Sequence, residues 1–77
     1  MRLNIISPEK ILFSGNVSSV TLPGTKGGFT ILKDHAPIIS ELGKGDITYN
    51  LDGNEVSLPV KDGFVEAKEN IITVCVE

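Results

Sequence analysis

Tryptophan is absent from the 77 residues, and cysteine, histidine, methionine and tyrosine occur once each. A single thiol, Cys75, excludes an internal disulfide framework and fits a reducing compartment. One cysteine with one imidazole, His35, cannot supply a four-ligand zinc site. Nucleophilic catalysis is equally poorly provided for. It needs a hydroxyl or thiol whose base is held by a third group, and Asp34, adjacent in sequence to His35, points away from it. No uncharged apolar run approaches the ~20 residues that cross a bilayer, and Met1-Arg2-Leu3-Asn4-Ile5 lacks the apolar stretch of a signal peptide. The expectation is a cytoplasmic chain that is not an enzyme by itself, carries no cofactor and does not enter the membrane.

What is present is the composition of a globular domain, 40% hydrophobic against 22% charged, which argues against disorder. The length allows one domain, residues 1–77, and a chain of this size is marginal alone, so a docked partner would help it. The net charge of −3 is unevenly placed. Residues 1–44 hold five basic and three acidic side chains, and residues 45–77 hold two basic and seven acidic. Binding to a nucleic-acid duplex needs a concentrated basic face, and only Lys26 and Lys33 are even loosely grouped, so nucleic acid is excluded as a partner.

The hydrophobic pattern is β throughout, with no sustained period of 3.6 residues. Its clearest segment runs from Asp46 to Val60. Ile47, Tyr49 and Leu51 alternate with polar neighbours, Asp52-Gly53 is a favoured type I′ turn pair, and Val56, Leu58 and Val60 alternate on the return. Setting Leu51 opposite Asn54 places Tyr49 across from Val56 and Ile47 across from Leu58, with one face apolar. Pro59 cannot donate to a ladder, so its strand needs a free or bulged side. The same reasoning gives strands at 2–6, 11–13, 17–22, 29–32, 38–42, 64–68 and 71–76. Gly15 is expected to mark a bulge. Many short strands at spacings of 8–12 residues point to a sandwich of two sheets or a flattened barrel.

Five features have residue types that could form a site. Gly24-Thr25-Lys26-Gly27-Gly28 has the residue types of a phosphate loop without the spacing, and a strand follows it where a helix would be needed, so it reads as a turn. Lys26 at that turn would suit a biotinyl or lipoyl carrier, an alternative opposed by its neighbours Thr25 and Gly27. His35 reads as a loop residue whose ring bonds its own backbone, or as a contact with another protein. Cys75, in an alternating strand, reads as a small packing residue. The carboxylates Asp62, Glu66 and Glu69 lie in turns or on wet strand faces.

Four ordered stretches carry a family resemblance. They are Ile-Ile-Ser-Pro-Glu-Lys-Ile-Leu-Phe-Ser-Gly (5–15), Val-Ser-Ser-Val-Thr-Leu-Pro-Gly-Thr-Lys-Gly-Gly-Phe-Thr-Ile-Leu (17–32), His-Ala-Pro-Ile-Ile-Ser-Glu-Leu-Gly-Lys-Gly (35–45) and Asp-Gly-Phe-Val-Glu-Ala-Lys-Glu-Asn-Ile-Ile-Thr-Val (62–74). In order and spacing they resemble the amino-terminal domain of the epsilon subunits of F-type ATP synthases. The resemblance implies an all-β sandwich of about ten short strands in two sheets. It further implies a non-catalytic rotor part of the central stalk, on the cytoplasmic face of the inner membrane, that couples proton flow to ATP synthesis. The partners it implies are the gamma subunit and the c-ring, with membrane association only through the complex. On this chain the family's c-ring contacts fall on Thr25, Lys26, Gly27, Gly28 and Phe29, and on His35, Ala36 and Pro37. The chain departs from the family pattern at Gly28, where an acidic residue is common, and at Asp34, where glycine is common. It also ends at Glu77, before the two inhibitory helices that family members usually carry, so inhibition and ATP binding are not expected of it.

Overall fold

In the computed structural model, which describes every residue from Met1 to Glu77, the hairpin expected from alternation forms in the expected register. Strands β6 (Gly45–Leu51) and β7 (Asn54–Val60) pair antiparallel, with Leu51 opposite Asn54, Tyr49 opposite Val56 and Ile47 opposite Leu58. Asp52 and Gly53 take positive φ, 51° and 84°, as a type I′ turn requires. Pro59 is accommodated because β7 is the last strand of its sheet.

The remaining strands are β1 (Arg2–Ile6), β2 (Ile11–Asn16), β3 (Ser19–Leu22), β4 (Phe29–Leu32), β5 (Ile38–Leu42), β8 (Gly63–Lys68) and β9 (Ile71–Val76). One sheet runs β2-β1-β9-β8-β5, the other β4-β3-β6-β7. All pairings are antiparallel except β1 with β9. An isolated bridge between Gly24 and Leu42 supplements the nine strands. The result is a small all-β sandwich, with no helix long and apolar enough to cross a membrane.

Fifteen residues are buried, and none is polar or charged. They include Leu3 and Ile5 of β1, Val20 and Leu22 of β3, Ile47 and Tyr49 of β6, Val65 and Ala67 of β8, and Ile72, Val74 and Val76 of β9. The odd-even alternation on each strand sends these side chains between the sheets and their neighbours to solvent.

Two local expectations are corrected. The bulge in β2 lies at Leu12, because Ile5 pairs with Phe13 while Ile6 pairs with Ile11; Gly15 pairs regularly with Leu3. Gly15 is needed for a different reason. A Cβ there would lie 3.0 Å from the Phe13 ring tip, and that ring packs against Tyr49 of the opposite sheet with centroids 4.4 Å apart at 36°. The second correction concerns Val17. It is buried but belongs to the crossing between sheets, where its N–H donates to the Met1 carbonyl at 2.8 Å, and β3 starts only at Ser19.

Tyr49 also gives the fold a pH dependence. Burial raises its hydroxyl above the ordinary value, since an interior site disfavours the phenolate. The folded state therefore holds the proton more tightly than the unfolded chain. This stabilisation is complete below pH about 10 and is lost as pH rises through the folded-state value. Urea unfolding followed from pH 8 to 11 should show stability falling more steeply in the native chain than in Tyr49→Phe. Equal slopes would refute the assignment.

Candidate functional site

The two segments singled out from sequence lie at opposite ends of β5. The turn between β3 and β4 closes with the Gly27 N–H donating to the Gly24 carbonyl at 3.0 Å, which leaves Thr25 and Lys26 at its exposed tip. Gly27, with φ of 125°, turns the chain back into Phe29 and β4. This turn is held against the end of β5. The Thr25 N–H donates to the Glu41 carbonyl at 3.1 Å, and the Gly43 N–H to the Pro23 carbonyl at 2.8 Å. Thr25, Lys26, Gly27 and Gly28 are exposed and Phe29 is half-buried. No helix follows, so the glycines serve a turn and not a phosphate cradle.

The loop 33–37 lies at the start of β5. His35 is half-buried, and its Nδ1 lies 2.8 Å from the Ala36 carbonyl oxygen. A carbonyl only accepts, so Nδ1 carries the proton in that bond and neutral His35 presents Nε2 as an acceptor. Nε2 is buried and has no partner. The ring thus bonds local backbone, as expected, but at the carbonyl of the next residue and not its own, and no carboxylate or hydroxyl is hydrogen-bonded to the ring. Ala36 and Pro37 are exposed beside it.

Asp34 has a φ of 62°, a conformation natural to glycine and tolerated by aspartate. Its backbone N–H donates to Asn70 Oδ1 at 2.7 Å, and Asn70 Nδ2 donates to Asp34 Oδ1 at 3.0 Å. Nothing in the local sequence signals this link, because its partners are 36 residues apart.

With the five residues of β5 between them at about 3.4 Å per residue, the tip and the loop are separated along β5 by roughly 14 Å. The structure therefore does not merge them into one pocket; the exposed edge of β5 runs between them, with Ile39 79% exposed. Residues Thr25 to Phe29 and His35 to Pro37 can touch one partner only if that partner is broad.

A second surface was missed from the sequence. On the outer face of the sheet of five strands, cross-strand pairing aligns Phe64, Cys75, Ile6 and Ile11 in one row. Phe64 and Ile11 are well exposed and Ile6 and Cys75 half-buried. Ile6, Pro8, Leu42, Phe64 and Cys75 share a shallow groove at that end. Cys75 points outward because Val74 and Val76 take the core positions on either side, so it packs on the surface and not in the interior. No three histidine, cysteine or carboxylate side chains gather where they could hold a metal ion.

Comparison with known proteins gives a consistent result. The family described as "ATP synthase, Delta/Epsilon chain, beta-sandwich domain" matches residues 1–77. An ATP synthase epsilon chain of Leptospira interrogans (strain Fiocruz L1-130) is 42% identical over 74 residues, covering 96% of this chain and 58% of that protein. One from Nitratiruptor sp. is 41% identical over 78 residues, covering the whole of this chain and 60% of the relative. The chain thus spans somewhat over half the length of these relatives. Among solved structures, a chain of the Euglena gracilis mitochondrial ATP synthase, in an OSCP/F1/c-ring assembly, superposes with a TM-score of 0.89 at 14% identity, over 96% of this chain and 48% of that one. A chain of the Tetrahymena thermophila central stalk/c-ring assembly gives 0.82 at 16%, over 97% and 61%. These two likenesses concern the fold.

Proposed function

Because this chain belongs to the delta/epsilon chain family of ATP synthases, matching its β-sandwich domain from end to end, we propose that it is a non-catalytic rotor part of the central stalk. It binds the gamma subunit and rests on the c-ring, and so couples proton flow to ATP synthesis. Its place is the cytoplasmic face of the inner membrane, reached only through the complex. The turn residues Thr25, Lys26, Gly27, Gly28 and Phe29 and the loop residues His35, Ala36 and Pro37 face the c-ring. Residues 1–77 act as one unit.

The family match over all 77 residues is the observation that carries this reading. The geometry supports it. A coupling piece needs stiffness and contact area, which a close-packed sandwich supplies. The segments at the two ends of β5 suit a broad partner better than a small ligand, and the row of Phe64, Cys75, Ile6 and Ile11 offers apolar area for a second protein surface. Torque transmission calls for interfaces of about 1,000 Å² or more in total.

Pull-down with the gamma subunit of the same organism tests the proposal. The chain should be retained by gamma, and more firmly by gamma assembled with the c-ring. Absence of binding to gamma, both alone and in the assembled enzyme, would remove the reading.

A further inference from the structure

Residues 33–37 join no strand ladder; Lys33 and Asp34 form a turn off the end of β4. Beyond that turn, the loop is bonded to the rest of the chain through Asn70, once to its Oδ1 and once from its Nδ2. Asn70 is itself fixed. It sits at φ 60° beside Glu69 at 53° in the tight β8–β9 turn, and its carbonyl accepts from the Arg2 N–H at 2.8 Å. The loop carrying His35 is thus tethered through one side chain to the point where β1 and β9 meet. The bond from His35 Nδ1 to the Ala36 carbonyl then sets the shape of the loop beyond the tether.

We propose that Asn70 is a positioning residue for partner binding, one that holds the His35-Ala36-Pro37 loop in its docking shape without touching the partner. This rests on the reading above, that the loop contacts the c-ring. A loop held by a single reciprocal pair of bonds is ordered before contact, so docking does not have to order it. Released from Asn70, the same five residues would have to be ordered by the partner, and affinity would drop although every contact residue is retained.

The informative variant is Asn70→Gly. Glycine accepts the positive φ of the turn, so the β8–β9 hairpin is kept while both bonds to Asp34 are deleted. Affinity of the full chain for an assembly of gamma and c-ring would be measured together with backbone order parameters of residues 33–37 and thermal unfolding. The expected result is a loss of order in the loop, from about 0.85 towards 0.6 or below, with affinity roughly tenfold weaker. Asp34→Asn, which keeps the left-handed residue and the acceptor for Nδ2, should bind like the native chain.

Unchanged affinity in Asn70→Gly despite a loosened loop would overturn the positioning role. A loss fully explained by global unfolding, with native loop order below the melting temperature, would overturn it too. Ala36→Arg in the same assay separates this from the underlying reading. If Ala36→Arg weakens binding and Asn70→Gly does not, the positioning role alone falls. If neither weakens it, the loop is not the contact and both fall.

Discussion

Gly63→Val should damage the folding of this chain more than any other single change considered for it. Gly63 opens β8 with a φ of 155°, paired with Val76 on one side and Leu42 on the other. A Cβ at this position would land on the Cys75 carbonyl oxygen, well inside van der Waals contact, and 3.2 Å from Val76 Cα. The obstacle is backbone on the adjacent strand, which cannot swing aside as the end of a side chain can. Relief would require opening the β8–β9 ladder, and a branched side chain disfavours the positive φ as well. The cost should be on the order of 3 kcal/mol or more. For a domain of this size that lowers Tm by roughly 12–24 °C. Gly53→Ala is the control. Gly53 also has positive φ, 84°, but a Cβ there meets nothing within 4 Å, so only the backbone preference of about 1 kcal/mol is lost. Thermal denaturation of both variants checks the argument, and a Gly63→Val protein melting with the native one would contradict the close approach.

Ile72→Ala should have the next largest effect. Ile72 is fully buried in β9, the middle strand of the sheet of five, paired with Leu3 of β1 and Ala67 of β8. Its side chain belongs to the hydrophobic core cluster between the two sheets. Deleting three carbons removes their burial and leaves a cavity that a middle strand, hydrogen-bonded on both sides, cannot collapse to fill. The expected cost is about 2–5 kcal/mol, against about 0.5–1.5 kcal/mol for Ile72→Val. Denaturant titration measures both as shifts in midpoint at constant slope. Equal midpoints for Ile72→Ala and the native chain would mean that β9 does not pack as described.

The contrast between these sites and the candidate surfaces shows what was legible. The β6–β7 register followed from Asp52-Gly53 and simple alternation, since a two-residue turn fixes every pair beyond it. In the sequence Asp62-Gly63 before Phe64 reads as a turn, but the reason Gly63 is required is sharper than turn geometry: the neighbouring strand passes too close for a Cβ. Gly15 was misread because a glycine within a strand pattern signals either a bulge or a close approach, and here it makes room for the Phe13 ring. Cys75 reads as a small packing residue, but which face it packs on is not written locally, because Ile71-Ile72-Thr73-Val74-Cys75-Val76 is apolar at both parities save for Thr73. Only the partner strands decide which parity faces inward.

The candidate site divides in the same way. Thr25 to Phe29 and His35 to Pro37 were nominated by the family resemblance, and a bond from the His35 ring to nearby backbone was legible because it is local, although it goes to the carbonyl of the next residue. Their separation across β5 was not, since it depends on how the β3–β4 turn is drawn against Glu41 and Gly43.

Chain alternation and turn residues were enough to determine an all-β fold and the pairing of the β6–β7 hairpin, and four ordered motifs carried the resemblance to the family. All of these are written in near-neighbour chemistry, where spacing along the chain translates directly into spacing in the molecule. The tether from Asn70 to Asp34, the row of Phe64, Cys75, Ile6 and Ile11, and the place of the bulge were decided by the tertiary structure alone. They are contacts between strands distant in sequence, and their partners are selected only when the two sheets close on a shared core.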